Sequence, residues 1–335
     1  MKALIIGGTG LISTSITRQL CESGHEVTLY NRGRSENRTG FDLPVIHGDR
    51  TAYEVFEKQM QQAGEFDCVY DMVGFAPEDA ASAIRAFRDR TRQFVFCSTV
   101  DVYSKPIPVY PYHESSERKS RGSYGQNKAR MEDMLMEADS RGEFRATVIR
   151  PASTYGEGGN LIHTFGWSTN YLDRLRKGKP IITHGDGNSI WASCHVDDVA
   201  RAFVNVMGNS SAMGKCYHVT GEEWQTWNRY HESICEAMGW PIPKIVHIPT
   251  DLLDMLAHDR VAWTEINFQY PTFFDNTAAK TDLQFEYTVP FIRGARRTAQ
   301  WLIDHERIED CEIDPFEDNL IAAWKILGEK LLVEF

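Results

Sequence analysis

The stretch MKALIIGGTGLISTSITRQL, residues 1–20, decides the fold. Ala3 to Ile6 form a short, wholly apolar run, suited to a strand buried on both faces of a parallel sheet. Gly7, Gly8 and Gly10 follow. Glycine lets the chain turn tightly and approach a pyrophosphate closely. The helix behind it supplies free N–H groups and a partial positive charge. Leu11 to Ser23 has helical spacing, and Gly24 is a natural stop. A glycine triplet alone is a weak signal, but between an N-terminal strand and an amphipathic helix it is a strong one. The pattern is Gly7-x-x-Gly10-x-x-Ser13, with the small Ser13 where a third glycine is usual. Gly7, Gly10, Leu11 and Ile12 are therefore candidate dinucleotide-binding residues.

Outward from this turn, strands and helices alternate. Further strands are expected over Glu26–Tyr30, Pro44–His47, Asp67–Met72, Gln93–Cys97 and Ala146–Arg150. Helices are expected over Ala80–Arg90 and Tyr124–Ser140. The order predicts an α/β fold of Rossmann type, a doubly wound and mostly parallel sheet. Beyond Arg150 the alternation loosens, and proline, glycine and tryptophan become frequent. Residues 1–155 are read as the dinucleotide-binding domain. Residues 156–335 are read as a smaller mixed α/β substrate lobe, with a segment near 190–210 returning to the sheet. Helices are expected there over Val196–Met207 and Thr226–Met238, and the last stretch from about Ile292 is helical in pattern.

Composition narrows the class. The chain has 335 residues, 42% hydrophobic and 25% charged, with a formal net charge of -11. That balance suits a globular protein and argues against a nucleic acid as main partner. The seven cysteines are odd in number and form no C-x-x-C pair, so they read as reduced thiols of a cytoplasmic protein with no metal site. The opening residues do not resemble a signal peptide, and no run approaches the ~20 apolar residues of a membrane span.

The end of the second strand usually selects the cofactor: a carboxylate there binds the ribose 2′-hydroxyl of NAD, while arginine favours the 2′-phosphate of NADP. Here it reads Tyr30-Asn31-Arg32-Gly33-Arg34. Asn31 and Arg32 thus lean toward NADP over NAD, although Arg32 and Arg34 also suit solvated loop charges. Asp49 and Arg50, after the third strand, are candidates for the adenine side, and Asp49 alone also suits a turn.

Tyr124 and Lys128 stand four residues apart, on one face of a helix. A phenol near pKa 10 is a poor proton donor or acceptor at neutral pH, and a nearby ammonium stabilises its phenolate. Such a pair can move a proton to or from a hydroxyl while a nicotinamide moves a hydride. A hydroxyl at the end of the fifth strand, in Cys97-Ser98-Thr99, can polarise the same oxygen.

The sequence resembles the extended short-chain dehydrogenase/reductase superfamily, the group of NAD-dependent epimerases and dehydratases. The matching segments are GGTG at 7–10, STVDVYS at 98–104, YGQNK at 124–128, RPASTYG at 150–156, HVDDVA at 195–200 and DNTAAKTDLQF at 275–285. The resemblance implies that Thr99 is the hydroxyl member, with Ser98 the alternative. It implies that Tyr124 is the acid–base, that Lys128 orients the ribose, and that Pro151 and Ser153 lie beside the nicotinamide. His195 and Asp197 match a mainly structural motif. The implied protein is an enzyme acting on a secondary alcohol or ketone of a sugar-like small molecule, as an epimerase or in net oxidation or reduction, and a homodimer is common in such a group.

One position departs from the pattern. Relatives that use nucleotide sugars carry an arginine four residues before the histidine of HVDD, and this chain has Trp191. Its indole suits either stacking on a sugar ring or core packing. Asn160 and Trp191 join Thr99 as candidate substrate contacts. A related branch, resembling chloroplast stem-loop RNA-binding proteins, shares the early glycine turn and supplies the alternative of a non-catalytic or RNA-associated protein. The intact Thr99, Tyr124 and Lys128 and the acidic charge favour the enzyme.

Overall fold

Ala3, Leu4, Ile5 and Ile6 are all fully buried, because their strand lies at the centre of the sheet with helices on both faces. A computed structural model describes residues 1–334. The chain opens β1 (Lys2–Ile6), α1 (Leu11–Glu22), β2 (Glu26–Asn31), β3 (Val45–His47), α2 (Tyr53–Gln62) and β4 (Phe66–Asp71). It continues α3 (Pro77–Phe87), β5 (Thr91–Cys97), α4 (Ser123–Ser140) and β6 (Arg145–Pro151). With the strand Lys215–Val219 these form a seven-stranded sheet in the order Lys215–Val219, β6, β5, β4, β1, β2, β3. Every pairing is parallel. Strand order reverses at β1, where Ile6 stands level with Tyr30 on one side and Asp71 on the other. A crevice at the carboxyl ends of the strands is expected at that reversal.

The chain forms two compact units. The first comprises Met1–Thr154, Ala192–Glu223 and Phe273–Val289. Alternate residues of β1 feed its two cores. Ala3 and Ile5 pack with Ile16, Leu20, Val199 and Phe203 from α1 and the helix Val196–Val206. Leu4 and Ile6 pack with Phe56, Ala83 and Met131 from α2, α3 and α4. Buried Asp198 ties the last segment down. Its carboxylate accepts from the Thr288 amide at 2.8 Å, the Thr288 hydroxyl at 2.6 Å and the Val289 amide at 2.9 Å.

The second unit comprises Tyr155–Trp191, Trp224–Thr272 and the chain from Pro290 onward. Its core gathers Trp191, Trp227, Tyr230, Phe268 and Phe291. The tail forms two helices, Phe291–Asp304 and Phe316–Glu334. Buried Glu317 accepts from the Ile182 amide at 3.1 Å, which anchors the second of them. Among the described residues no helix is long and apolar enough to cross a membrane.

Some elements differ from expectation for identifiable reasons. The helix α2 was not foreseen because only Phe56 and Met60 of its ten residues are buried, too sparse a stripe to show in sequence. The strand Lys215–Val219 was missed because it alternates Cys216, Tyr217 and His218 instead of presenting an aliphatic run.

Candidate functional site

The cleft lies where strand order reverses. It holds about 440 Å³ and is walled by the segments that follow β1 to β4: Gly7, Thr9 and Gly10; Asn31 to Ser35; Gly48 to Thr51; and Val73, Phe75 and Ala76. Gly7 has φ +86°, and a Cβ there would lie 2.3 Å from Val73 Cγ1, so both the backbone and the packing require glycine. Ser13 does more than fill the place of a third glycine. Its hydroxyl donates to the Gly7 carbonyl at 2.6 Å and accepts from the Gly10 amide at 2.8 Å, closing the turn. Leu11 and Ile12 open α1, and the cleft walls are drawn from other residues.

At the second wall, Asn31 accepts from the Gly33 amide at 2.9 Å and so shapes the loop carrying Arg32 and Arg34. Asp49 is exposed, and hydrogen bonds from the Thr51 amide and hydroxyl hold its carboxyl below the usual range, helped by Arg32 and Arg34. Arg50 is buried. One of its nitrogens donates to Asp71 at 2.9 Å and to the Asp79 carbonyl at 2.6 Å, while its Nε and Nη1 are buried with no partner. A glycine turn at a helix N-terminus, a rim of arginines and orphaned buried donors at the wall together fit the pyrophosphate of a dinucleotide.

Beyond Phe75 the first unit carries the tyrosine–lysine pair. Lys128 is 2% exposed, and its ammonium donates to the Cys97 carbonyl at 2.7 Å. That ammonium lies 5.0 Å from the Phe75 ring, 4.7 Å from the Phe96 ring and 5.8 Å from the Tyr124 ring. Burial pushes the Lys128 pKa down and the Tyr124 phenol up, and a hydrogen bond from Thr99 opposes the latter rise. Thr99 also caps the turn after β5, accepting from the Asp101 amide at 3.1 Å. Gly125 explains why α4 can come so close, since a Cβ there would lie 2.1 Å from the Asp101 carbonyl oxygen. Thr99, Tyr124 and Lys128 are thus gathered at the end of β5.

Other expected site residues are used differently. The Ser98 hydroxyl donates its proton to buried Glu132. Trp191 is 5% exposed and packs on Trp227 at 5.0 Å and Phe268 at 5.1 Å, so its ring serves the core and not a sugar face. Asn160 donates to the Trp167 carbonyl at 2.8 Å. Pro151 ends β6 beside Val219, and Ser153 begins the short strand Ser153–Tyr155. His195 caps the helix Val196–Val206, accepting from the Asp197 amide at 3.2 Å. Among the other aromatics of the second unit, Tyr171 and Trp227 are fully buried, while Trp167 and Trp224 are 47% and 52% exposed. Sequence reading missed Asp71, Phe75 and Glu132. Glu132 had a signal, because it continues the i, i+4 stripe of Tyr124 and Lys128.

A family model for the NAD dependent epimerase/dehydratase family matches residues 3–220. The chain belongs to this family. Among its relatives is the chloroplast stem-loop binding protein of 41 kDa b of Arabidopsis thaliana, 33% identical over 73% of this chain. This chain spans 65% of that protein's length. A 2′-dehydrokanamycin reductase of Streptomyces kanamyceticus is 24% identical over 72% of this chain and 68% of its own. Among solved structures, UDP-glucose 4-epimerase from Bifidobacterium longum, in complex with NAD+ and UDP, superposes with TM-score 0.73 at 17% identity, covering 92% of this chain and 100% of that one. UDP-glucuronic acid 4-epimerase from Bacillus cereus, in complex with NAD, gives 0.72 at 16% identity, covering 91% and 99%. These likenesses agree with this family member's Rossmann fold.

Proposed function

We propose that this chain is an NAD(P)-dependent oxidoreductase or epimerase acting on a secondary alcohol or ketone of a sugar or sugar-like substrate, with Tyr124 as its acid–base. The observation that carries the reading is the gathering of Thr99, Tyr124 and Lys128 at the end of β5, with the Lys128 ammonium against Phe75 of the cleft wall. The family and the structures solved with NAD support the cofactor class. A nicotinamide, when bound, accepts or donates the hydride.

The chain's own residues do the rest. Gly7, Gly10 and the start of α1 hold the pyrophosphate, and Lys128 holds a ribose. Arg32 and Arg34 favour the 2′-phosphate of NADP, with Asn31 fixing their loop. In the reducing direction the Tyr124 hydroxyl gives its proton to the carbonyl oxygen, while Thr99 hydrogen-bonds the same oxygen. Burial favours the neutral phenol, and the hydrogen bond from Thr99 opposes that shift.

The test begins with binding of NADPH and NADH by calorimetry. A panel of sugar alcohols and ketosugars is then followed by nicotinamide absorbance. Tyr124→Phe is expected to keep cofactor affinity within about twofold and to cut turnover at least ~100-fold. Near-normal turnover of that variant would sink the assignment. The likeness to the Arabidopsis stem-loop binding protein supplies a second reading, an RNA-associated protein, and tight, salt-sensitive capture of an RNA stem-loop would favour it.

A further inference from the structure

Three successive residues at the end of β5 are tied to α4. The Cys97 carbonyl accepts from Lys128 at 2.7 Å, the Ser98 hydroxyl donates to Glu132, and the Thr99 hydroxyl bonds the Tyr124 phenol. The first and third links involve the proposed catalytic pair. The middle link joins Ser98 to a carboxylate one turn beyond Lys128.

Glu132 is 1% exposed and held from every side. One carboxylate oxygen accepts from Ser98 and from Arg150 Nε at 2.9 Å. The other accepts from Arg150 Nη2 at 2.6 Å and from Arg118 Nη1 at 2.9 Å. Arg150 is itself 2% exposed and also donates to the Tyr103 hydroxyl at 2.6 Å and the Glu114 carbonyl at 2.9 Å. A buried ion pair of this kind recovers its desolvation cost only through good geometry, and a well-packed apolar pair is often as stable. What a fully partnered network does supply is rigidity.

We propose that Glu132 and Ser98 are positioning residues. Through the middle link they set the height of the Cys97–Thr99 segment against α4, and so fix the acceptor that holds the Lys128 ammonium. The inference rests on the reading of Lys128 as a cofactor contact given under Proposed function. Neither residue lines the cleft.

The experiment compares a whole cofactor with its half. The probes are NADPH and adenosine 2′,5′-bisphosphate, or NADH and ADP if the wild-type protein prefers NADH. Both are measured by calorimetry alongside the melting temperature. Ser98→Ala is expected to melt within about 3 °C of wild type, to bind the whole cofactor about tenfold more weakly and to bind the half-molecule unchanged. Ser98→Thr, which restores the hydroxyl, is expected to recover the whole-cofactor affinity. The double variant Glu132→Leu with Arg150→Met, which also leaves Ser98, Arg118, Tyr103 and the Glu114 carbonyl without this partner, is expected to melt lower and to show the same selective loss of the whole cofactor. Wild-type affinity for the whole cofactor in Ser98→Ala would overturn the positioning role. So would a parallel loss of both ligands, which marks a merely structural effect. A wild-type protein that binds neither NADPH nor NADH would overturn the underlying cofactor reading, and that outcome is visible before any variant is made.

Discussion

Tyr124 and Lys128 sit in surroundings that push their protons in opposite directions. Burial favours the neutral form of each, so the phenol keeps its proton more tightly and the ammonium less. The expectation that Lys128 lowers the Tyr124 pKa is not what the geometry emphasises. The ammonium is spent on the Cys97 carbonyl, and the group that lowers the phenol is the Thr99 hydroxyl. At the other end of the cleft, the charge of Arg32 and Arg34 faces Asp49. If the two arginines receive a 2′-phosphate, Arg32→Ala with Arg34→Ala weakens NADPH at least ~10-fold, about one charge-assisted hydrogen bond or more, and leaves NADH within about twofold. Equal losses for both cofactors, measured by calorimetry, would show that the arginines are only solvated loop charges.

At the scale of elements, the HVDDVA segment shows how a motif divides its labour. His195 caps its helix, Asp197 accepts from Ser15 at 2.9 Å and Arg18 at 2.7 Å on α1, and Asp198 holds Thr288 and Val289. Asp198 is fully buried and also pairs with Arg201 Nη1 at 3.0 Å. Asp198→Ala is expected to cost about 2–3 kcal/mol by denaturant titration, since several donors, the buried Val289 amide among them, lose their acceptor together. Asp198→Asn keeps one oxygen and is expected to cost less. A loss under ~1 kcal/mol for the alanine would mean the segment is held elsewhere. The element boundaries were legible where the apolar run was long, as in β1 and β5. They were not where burial was sparse, as in α2, or where polar and aromatic residues carry the strand, as in Lys215–Val219.

At the scale of the whole molecule, buried histidines govern acid stability. Burial pushes His184 down to about 4 and His218 and His231 down to about 3, and it lowers His163 as well. Below the ordinary value of 6.5 the unfolded chain binds protons that the folded one refuses, so stability falls as pH falls toward 4. Each such histidine contributes up to about 1.4 kcal/mol per pH unit in that window. Glu317 acts in the opposite sense. Burial raises it from 4.5 to about 7, so the folded state there holds a proton the unfolded state has lost, and stability falls as pH rises between those values. Four histidines outweigh one glutamate, and three of the four lie in the second unit. The melting temperature is expected to drop steeply from pH 6.5 to 4.5, chiefly in that unit. A flat profile by scanning calorimetry would contradict the burial.

Thr99 was singled out over Ser98 only by the family resemblance, while the strand–glycine-turn–helix start, the strand–helix alternation and the Tyr124–Lys128 spacing were legible from residue order. Their signals are local: an apolar run, a turn that only glycine makes, and a four-residue helical spacing. The use of Trp191, Ser98 and Arg50 was not legible, because an indole, a hydroxyl or a guanidinium serves a ligand or the core equally well. Folding brought a partner alongside each: Trp227 against Trp191, Glu132 against Ser98, and Asp71 against one nitrogen of Arg50. These partners lie many residues away in sequence, and a buried polar group goes to the partner that replaces its lost water.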